Sequence, residues 1–346
     1  MIFKKIHRVQ CPPGVLLYIY MKLLILKTTN PYYNLAVEEY LFSYSNEDVF
    51  MLWQNEPTVV IGKNQNVYAE INMDYLKENN IHIARRITGG GAVYHDLGNV
   101  NYSFISSKNN RCEINFEYYT KPIIESLQKL GIDAKLSGRN DLVVDGKKFS
   151  GSAQHAKGNR VLHHGTLLFN SNLDVLTNVL NVDEEKIKSK AIKSTRSRVT
   201  NLKDILNINF TSDEFISYIS SYIIDCFSPE ISNVPENQEI ISLTNRNQSH
   251  DWLFPNNKLV SIYSTRKKIR YPFGIVDICA HMSNEIISDI SISGDYFGVS
   301  DTKDLEKILK GSSISNIENL IKNIKIDDYI LGMTNELFIE QIKKLY

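Results

Sequence analysis

The sequence predicts a protein that mixes helices and strands in a large N-terminal part and a small C-terminal part. Helix-like and strand-like runs alternate along most of its 346 residues, and the composition changes at 228–257, where three prolines stand among many Asn and Ser residues. A chain of this length is long enough for two domains. We therefore expect an N-terminal extension at 1–20, a main domain at 21–255 and a small accessory α/β domain at 256–346.

The first elements of the main domain are a helix and several short strands. Asn30 and Pro31 are typical of a helix start, because Asn caps the first free N–H groups and Pro fits the first turn. Strand-like runs at 49–53 and 58–61 flank a turn, and alternation at 81–84 and 100–104 predicts two further strands around a glycine-rich run.

A helix and a tight hairpin are predicted in the middle of the chain. Apolar residues at 123, 124, 127 and 130 have helical spacing, and Gly131 is a typical helix stop. Asp145-Gly146 between two strand-like runs predicts a type I′ turn, with Lys148 just beyond it. The remaining predicted elements are strands at 161–170, 260–263, 274–282 and 286–293 and helices at 172–181, 213–227, 302–310, 314–325 and 335–345.

Composition argues against several classes of protein. Lys plus Arg and Asp plus Glu both number 39, so the sequence lacks the basic excess typical of nucleic-acid or membrane binding. The four cysteines form no C-x-x-C pair, which argues against a zinc site or a disulfide framework and fits a reducing compartment.

Residues 1–20 are either a weak organelle-targeting segment or a poorly ordered extension before a start at Met21.

Two motifs carry most of the chemistry. Arg85-Arg86 leads into Gly89-Gly90-Gly91, which offers bare backbone N–H groups and positive charge to an anion. The run is neither a Walker A loop nor a G-x-G-x-x-G fingerprint. Its alternative is a surface turn with two solvated arginines.

The second motif is Lys147-Lys148 followed by Ser-Gly-Ser. Neighbouring side chains on a strand point to opposite faces, so we expect one lysine to face solvent and the other a pocket. Asp141 is a candidate Mg²⁺ ligand, or else it accepts local N–H groups together with Asn140. His163 and His164 would face opposite ways and could not chelate one ion.

In order along the chain, these motifs resemble lipoate–protein ligases over about residues 21–205. The resemblance is carried by runs 34–39, 59–66, 85–96, 137–142, 148–153, 164–168 and 196–201, and in the C-terminal part by Gly294-Asp295-Tyr296-Phe297-Gly298. The resemblance implies an α+β, biotin/lipoate ligase-like (class II synthetase-like) fold, in which helices flank a mixed sheet and a small C-terminal domain follows.

The resemblance also implies a two-step reaction in lipoate scavenging. Lipoate and ATP, with Mg²⁺, give lipoyl-AMP and pyrophosphate, and the lipoyl group then passes to a lysine of an acceptor protein. Lys148 would be the catalytic residue and, with Gly90, would contact lipoate. The residues expected to contact ATP or lipoyl-AMP are Arg86, Gly91, Ala92, Val93, Tyr94 and Lys148. Further helpers would be Arg85, Asn140, Asp141, which is also the Mg²⁺ candidate, and His164.

The implied acceptors are lipoyl domains of 2-oxoacid dehydrogenase E2 subunits and the glycine-cleavage H protein. We expect a monomer with no nucleic-acid or membrane partner, in the cytoplasm, or in the mitochondrial matrix if the source is eukaryotic. Two alternatives stay open. One is a cysteine-dependent octanoyl or lipoyl transferase of the same fold, although 113–225 contains no Cys; the other is a non-enzymatic lipoate- or adenylate-binding partner.

Overall fold

The structure, a computed structural model, describes residues 21–107, 115–180, 198–255 and 260–346. Both interpretations of residues 1–20 therefore concern a segment outside the described residues. The described residues fall into two compact units. Within the described residues, the first unit comprises 21–58, 95–107, 115–177 and 198–247. The second unit comprises 59–94, 178–180, 248–255 and 260–346.

The described elements follow one another along the chain in a mixed order. The strands are β1 (Met21–Ile25), β2 (Asp48–Trp53), β3 (Thr58–Ile61), β4 (His82–Arg85), β5 (Val93–His95), β6 (Asn99–Ser107), β7 (Lys135–Ser137), β8 (Asp141–Val144), β9 (Lys147–Lys157), β10 (Arg160–Leu168), β11 (Glu230–Ile231), β12 (Thr265–Tyr271), β13 (Gly274–Ser283) and β14 (Ile286–Gly294). The α-helices are α1 (Pro31–Ser43), α2 (Val67–Glu70), α3 (Met73–Glu78), α4 (Phe116–Lys129), α5 (Leu173–Asn178), α6 (Ser212–Phe227), α7 (Gln238–Gln248), α8 (His250–Leu253), α9 (Thr302–Leu309), α10 (Ile317–Ile321) and α11 (Asn335–Lys343).

The first unit is built on an eight-stranded sheet in the order β11-β1-β2-β6-β10-β9-β8-β7. β1 runs parallel to both β2 and β11, whereas β6 pairs antiparallel with β2 and β10. The sheet is therefore mixed, and the expected mixed sheet with flanking helices is confirmed.

The two faces of this sheet differ in chemistry, as strand β6 shows. Val100, Tyr102 and Phe104 point to one face and belong to the main apolar core, to which α4 and α6 also contribute. Ser103 points to the other face, where α1 packs across β6 and β10 and Ser103 donates to the carboxylate of Glu38. Because side chains alternate along a strand, one strand serves both the core and a polar face.

The hairpin that carries the two lysines has the predicted type I′ turn. Asp145 and Gly146 both have positive φ, at 49° and 72°, which is the requirement of that turn. The register shifts just beyond it, because Leu142 pairs with Ser150 while Val143 pairs with Lys148. The irregularity leaves Phe149 unpaired in the ladder and fully buried, and bulges of this kind re-aim the neighbouring side chains.

The second unit contains two three-stranded sheets, β4-β3-β5 and β12-β13-β14. Strands β13 and β14, which correspond to the strands predicted at 274–282 and 286–293, form a hairpin. A separate apolar core lies beneath it, with Val276, Ile278 and Ile292 from the sheet and Leu305 and Phe338 from α9 and α11. The C-terminal residues therefore have a core of their own, as expected of a small α/β domain.

Several predicted elements were wrong in detail. The expected strand at 260–263 is a 3₁₀ helix at Val260–Ile262, and the strand begins afterwards as β12. The Asn- and Ser-rich stretch at 228–257, for which no element was predicted, contains the helices α7 and α8. The expected helix at 314–325 is a short 3₁₀ turn followed by α10.

The domain boundary at 255/256 stays a prediction, since the second compact unit also includes Val59–Tyr94. Within the described ranges, no helix is both long and apolar enough to cross a membrane.

A buried histidine in the core gives a testable pH dependence. His163 is fully buried, its ring stacks on Tyr119 with centroids 5.3 Å apart, and its Nδ1 lies 2.7 Å from Nε2 of Gln154. Burial, and secondarily the neighbouring His164, lowers its pKa well below the ordinary value. His163 is therefore neutral in the folded state and takes up a proton only on unfolding.

We expect this histidine to reduce stability as the pH falls through the unfolded-state pKa of about 6.5. Linkage gives a loss of about 2 kcal/mol between pH 7 and pH 5 from this group alone. Urea unfolding of the wild type and of His163→Gln at both pH values measures it. An equal loss in both proteins would contradict the assignment.

Candidate active site

Lys148 is held at its backbone from both sides. In β9 it pairs with Val143 across the hairpin. On its other side its N–H donates to the carbonyl of Arg198 at 2.7 Å, and its carbonyl accepts from the N–H of Thr200 at 2.9 Å. Residues 198–200 of the run 196–201 therefore lie beside Lys148, while Arg196 of the same run lies outside the described residues. Such double pairing fixes the direction in which the side chain leaves the strand.

The Lys148 side chain is half-exposed and ion-paired. Its Nζ lies 2.7 Å from Oδ1 of Asp141, and both side chains are about two-fifths exposed, at 40% and 38%. The lysine folds over Gly151, where an added Cβ would come within 3.0 Å of its Nζ. Gly151 thus makes room for the lysine itself. Lys147, by contrast, is exposed, so the two lysines differ as predicted.

Asn140 has a scaffolding contact next to this ion pair. Its Nδ2 donates to the carbonyl of Ser152 at 2.6 Å, and its own carbonyl accepts from the N–H of Ser152 at 2.8 Å. These two hydrogen bonds hold the loop before β8 against β9. Asn140 therefore positions Asp141, the next residue, opposite Lys148.

His164 belongs to a buried polar chain on the opposite face of the sheet from His163. Its Nδ1 lies 2.9 Å from both carboxylate oxygens of Glu38. The hydroxyl of Ser103 donates to the same carboxylate at 2.5 Å, and Nε1 of Trp53 donates to Ser103 at 3.2 Å. Glu38 and Ser103 were not singled out by sequence analysis. The helical spacing of residues 34, 37, 38 and 41 could have indicated Glu38, because Glu38 lies on the buried side of α1 with Asn34, Val37 and Leu41.

The metal prediction for Asp141 rests on one carboxylate. Among the residues that the structure describes, no three His, Cys, Asp or Glu side chains are grouped to hold a metal ion. One carboxylate is nevertheless compatible with Mg²⁺, which commonly binds one or two carboxylates together with substrate phosphates. The Mg²⁺ assignment stays a prediction.

In the second unit, Arg85 is buried and donates to backbone carbonyls. Its guanidinium donates to Gly62, Lys63 and Gln65 on one side at 2.9–3.0 Å. On the other side it donates to Trp252 and Leu253. Burial, with a smaller contribution from the charge of Arg86, lowers its pKa to about 10, which leaves it protonated at neutral pH. These contacts make Arg85 a tether for the turn after β3 and for α8.

Arg86 shapes the glycine run. It is buried, and it donates from Nε to the hydroxyl of Thr88 at 3.0 Å and from Nη2 to the carbonyls of Gly89 and Gly91, both at 2.8 Å. The run is also pressed against Gly62, where an added Cβ would meet the Gly90 carbonyl oxygen at 2.1 Å. The hydrogen bonds of the guanidinium thus hold the glycine run in a curve around it.

The structure therefore brings the predicted residues together in two groups, one in each unit. Lys148, Asp141 and Asn140 share the hairpin of the first unit, where His164 lies on β10. Arg85, Arg86 and the run from Gly90 to Tyr94 lie together in the second unit. Within that run, Gly91 is exposed, Ala92 and Val93 are half-buried and Tyr94 is buried. A fixed cation and an open glycine loop suit the chemistry of a carboxylate and a nucleotide phosphate.

Family models match both parts of the chain. The model of the lipoyl protein ligase A/B catalytic domain matches residues 30–224, and that of the bacterial lipoate protein ligase C-terminus matches residues 262–342. The chain is also similar to lipoate-protein ligase LplJ of Bacillus subtilis, with 39% identity over 325 residues that cover 90% of this chain and 97% of the relative.

Solved structures agree with this match. The structure of LipL1 from P. falciparum in complex with lipoate has a TM-score of 0.75 and 26% identity, covering 94% of this chain and 98% of that one. A bi-partite ligase from Thermoplasma acidophilum, described with its E2 lipoyl domain, has a TM-score of 0.61 and 30% identity, covering 68% of this chain and 96% of that one. Lipoate-protein ligase A bound with ATP has a TM-score of 0.57 and 27% identity, covering 68% and 98%. The matches to both family models and the similarity to a ligase over nearly the whole chain establish that this protein belongs to the lipoate–protein ligase family.

Proposed function

We propose that this enzyme activates lipoate with ATP to lipoyl-AMP and then transfers the lipoyl group to a specific lysine of an acceptor protein. The observation that carries the proposal is the fixed, half-exposed ammonium of Lys148. Relatives that bind lipoate and ATP support the choice of substrates.

Lys148 would act at the bond that forms in the first step. An oxygen of the lipoate carboxylate attacks the α-phosphorus of ATP, the bond from that phosphorus to the bridging oxygen breaks, and pyrophosphate leaves with the electron pair. The ammonium lies against charge that gathers on the carboxyl and α-phosphate oxygens, and such stabilisation costs least when the cation is already in place. The backbone pairing on both sides of Lys148 fixes the direction in which its side chain leaves the strand, and the ion pair with Asp141 holds the ammonium.

Asp141 keeps the ammonium in place before substrate binds. At 2.7 Å from Nζ it balances the lysine charge, and a partly exposed pair of this kind separates at little cost, typically below about 1 kcal/mol. An incoming carboxylate can therefore replace it as the partner of Lys148. Mg²⁺, when bound, shields the triphosphate, and Asp141 is the carboxylate of this group that would hold it.

The glycine run would receive the nucleotide. Arg86 holds the carbonyls of Gly89 and Gly91 from within, so its role in nucleotide binding is to shape the loop. Gly91 has no atom within 4 Å of the position of an added Cβ, which leaves its backbone accessible to a ligand. We assign Gly91, Ala92, Val93 and Tyr94 to the nucleotide and Gly90 to the turn that presents them.

In the second step the neutral acceptor amine attacks the acyl carbon, the bond to the phosphate oxygen breaks, AMP leaves with the electron pair, and the nitrogen releases one proton to solvent as the amide forms. No protein nucleophile is needed. The described free cysteines, Cys226 and Cys279, fit this route: Cys226 lies on α6, and burial raises the pKa of the Cys279 thiol to about 12. A thiol with this pKa is a poor nucleophile at neutral pH, which disfavours Cys279 as the nucleophile of a cysteine-dependent transferase.

The acceptor class is proposed to be lipoyl domains of E2 subunits and the glycine-cleavage H protein. Support comes from the archaeal relative described with its E2 lipoyl domain. A monomeric state and a cytoplasmic location stay predictions.

Substitution of Lys148 tests the central role. We expect Lys148→Ala to reduce lipoate-dependent pyrophosphate release by about 100-fold to 1000-fold, as loss of one preorganised charge-stabilising group does. The free energy of unfolding should change by less than about 1 kcal/mol, because the ion pair with Asp141 is exposed. Lys147→Ala is the matched control and should keep the wild-type rate. A Lys148→Ala enzyme with the rate of Lys147→Ala would contradict the assignment.

Gly91→Ala tests the nucleotide loop. The added methyl meets nothing within 4 Å, so stability should stay within about 0.5 kcal/mol of wild type in urea unfolding. The KM for ATP should rise about tenfold, because the methyl blocks close approach of a phosphate and loses about one charged hydrogen bond. An unchanged KM would show that the nucleotide does not approach this backbone.

Acceptor transfer can be read by mass spectrometry. Incubation of the enzyme with ATP, lipoate and either an E2 lipoyl domain or H protein should add one lipoyl group to the acceptor. Omitting ATP should abolish the gain in mass. Modification that persists without ATP would favour the transferase alternative.

A further inference from the structure

The three consecutive glycines face different surroundings. An added Cβ on Gly89 would lie 2.3 Å from the carbonyl oxygen of Tyr296, and one on Gly90 would lie 3.3 Å from Cε1 and Cζ of Phe297. Gly91 would meet nothing within 4 Å. Gly90 also has a φ of +91°, a conformation that favours glycine. Only the third glycine is therefore open, while the first two are needed for contact with the chain at 296–297.

The segment Gly294–Phe297 is joined to this region by hydrogen bonds to and from its backbone. The Tyr296 carbonyl accepts from the N–H of Gly90 at 3.4 Å and from Nδ2 of Asn64 at 3.3 Å. The N–H of Gly294 donates to the carbonyl of Asn64 at 2.9 Å. These contacts involve the backbone of Gly294 and Tyr296, and they hold the glycine run at a defined distance from the segment Gly294–Phe297.

The segment is itself anchored in the C-terminal fold. The Tyr296 hydroxyl is buried, donates to the carbonyl of Ile292 at 3.3 Å and lies 3.2 Å from the Thr302 hydroxyl. The Phe297 side chain is 1% exposed, and its carbonyl accepts from the N–H of Leu331 at 2.8 Å. The Phe297 ring is thus a rigid surface.

This ring and Arg86 both lie close to Gly90. An added Cβ on Gly90 would meet Nη2 of Arg86 at 3.0 Å and the Phe297 ring at 3.3 Å. A glycine with positive φ has many alternative conformations, and fixing the backbone of one residue costs about 1–2 kcal/mol. Two rigid neighbours restrict those alternatives before any ligand arrives.

We propose that Phe297 is a positioning residue for ATP, which acts by holding Gly89 and Gly90 so that the backbone from Gly91 onward keeps its ligand-binding conformation. This inference rests on the proposed function, because it assigns the nucleotide to the loop that Phe297 holds. Phe297 does not touch the reacting atoms. Its removal should act mainly on the affinity for ATP.

The test compares Phe297→Ala, Phe297→Leu and a control, Phe273→Ala. Phe273 lies in the same unit and stacks on Tyr271 with centroids 4.9 Å apart. Steady-state pyrophosphate release gives the KM for ATP and for lipoate, and thermal unfolding gives stability. We expect Phe297→Ala to raise the KM for ATP about tenfold, equivalent to about 1.4 kcal/mol. Phe297→Leu should be intermediate, while the KM for lipoate and both constants of Phe273→Ala stay near wild type.

A second variant reaches the same contact from the loop. Gly89→Ala forces the Tyr296 carbonyl away and should raise the KM for ATP in the same way, which keeps the proposal testable if Phe297→Ala does not fold. If the Phe297 and Gly89 variants lose thermal stability but keep the wild-type KM for ATP, Phe297 is only structural and the inference is wrong. A wild-type enzyme without lipoate-dependent pyrophosphate release would instead overturn the proposed function, and this inference with it.

Discussion

Two buried guanidinium groups hold together the backbone of the glycine run, to which we assign the nucleotide. A buried arginine is costly unless hydrogen bonds satisfy its donors. Arg85 and Arg86 donate mainly to backbone carbonyls: Arg85 to the turn after β3 and to α8, Arg86 to the glycine run. The close approach of Gly62 to Gly90 and the contact of Gly89 with Tyr296 both lie within the backbone that these bonds keep in place.

The first unit presents one positive charge, that of Lys148, without burying it. Burying a charged side chain carries a large desolvation penalty. Lys148 stays partly exposed and paired with Asp141, while its backbone is fixed on both sides. The strand thus determines the direction in which the side chain leaves the sheet, and the end of the side chain stays in contact with solvent. The bulge at Phe149 links the site to the core, because the same irregularity buries that ring.

The sequence predicts those features that depend on local chemistry. Asp145-Gly146 was sufficient for the type I′ turn, and the alternation of Lys147 and Lys148 predicted that the two lysines differ in exposure. The polar composition of 228–257 gave no indication of α7, because this helix buries few side chains, among them Ile240 and Leu243. The reason for each glycine could not be predicted from its neighbours in the sequence. Gly151 makes room for the side chain of Lys148. Gly89 and Gly90 make room for residues more than 200 positions away, which no local pattern reveals.

The most direct test of the account is whether the protein makes lipoyl-AMP in the absence of an acceptor. Incubation with lipoate and ATP labelled at the α-phosphate, followed by separation of the protein and chromatography of the bound material, measures this. We expect label to stay with the wild-type protein as lipoyl-AMP only when lipoate is present, and to be absent from Lys148→Ala. Labelled ADP as the lipoate-dependent product, or equal label with and without lipoate, would contradict the proposed adenylate mechanism.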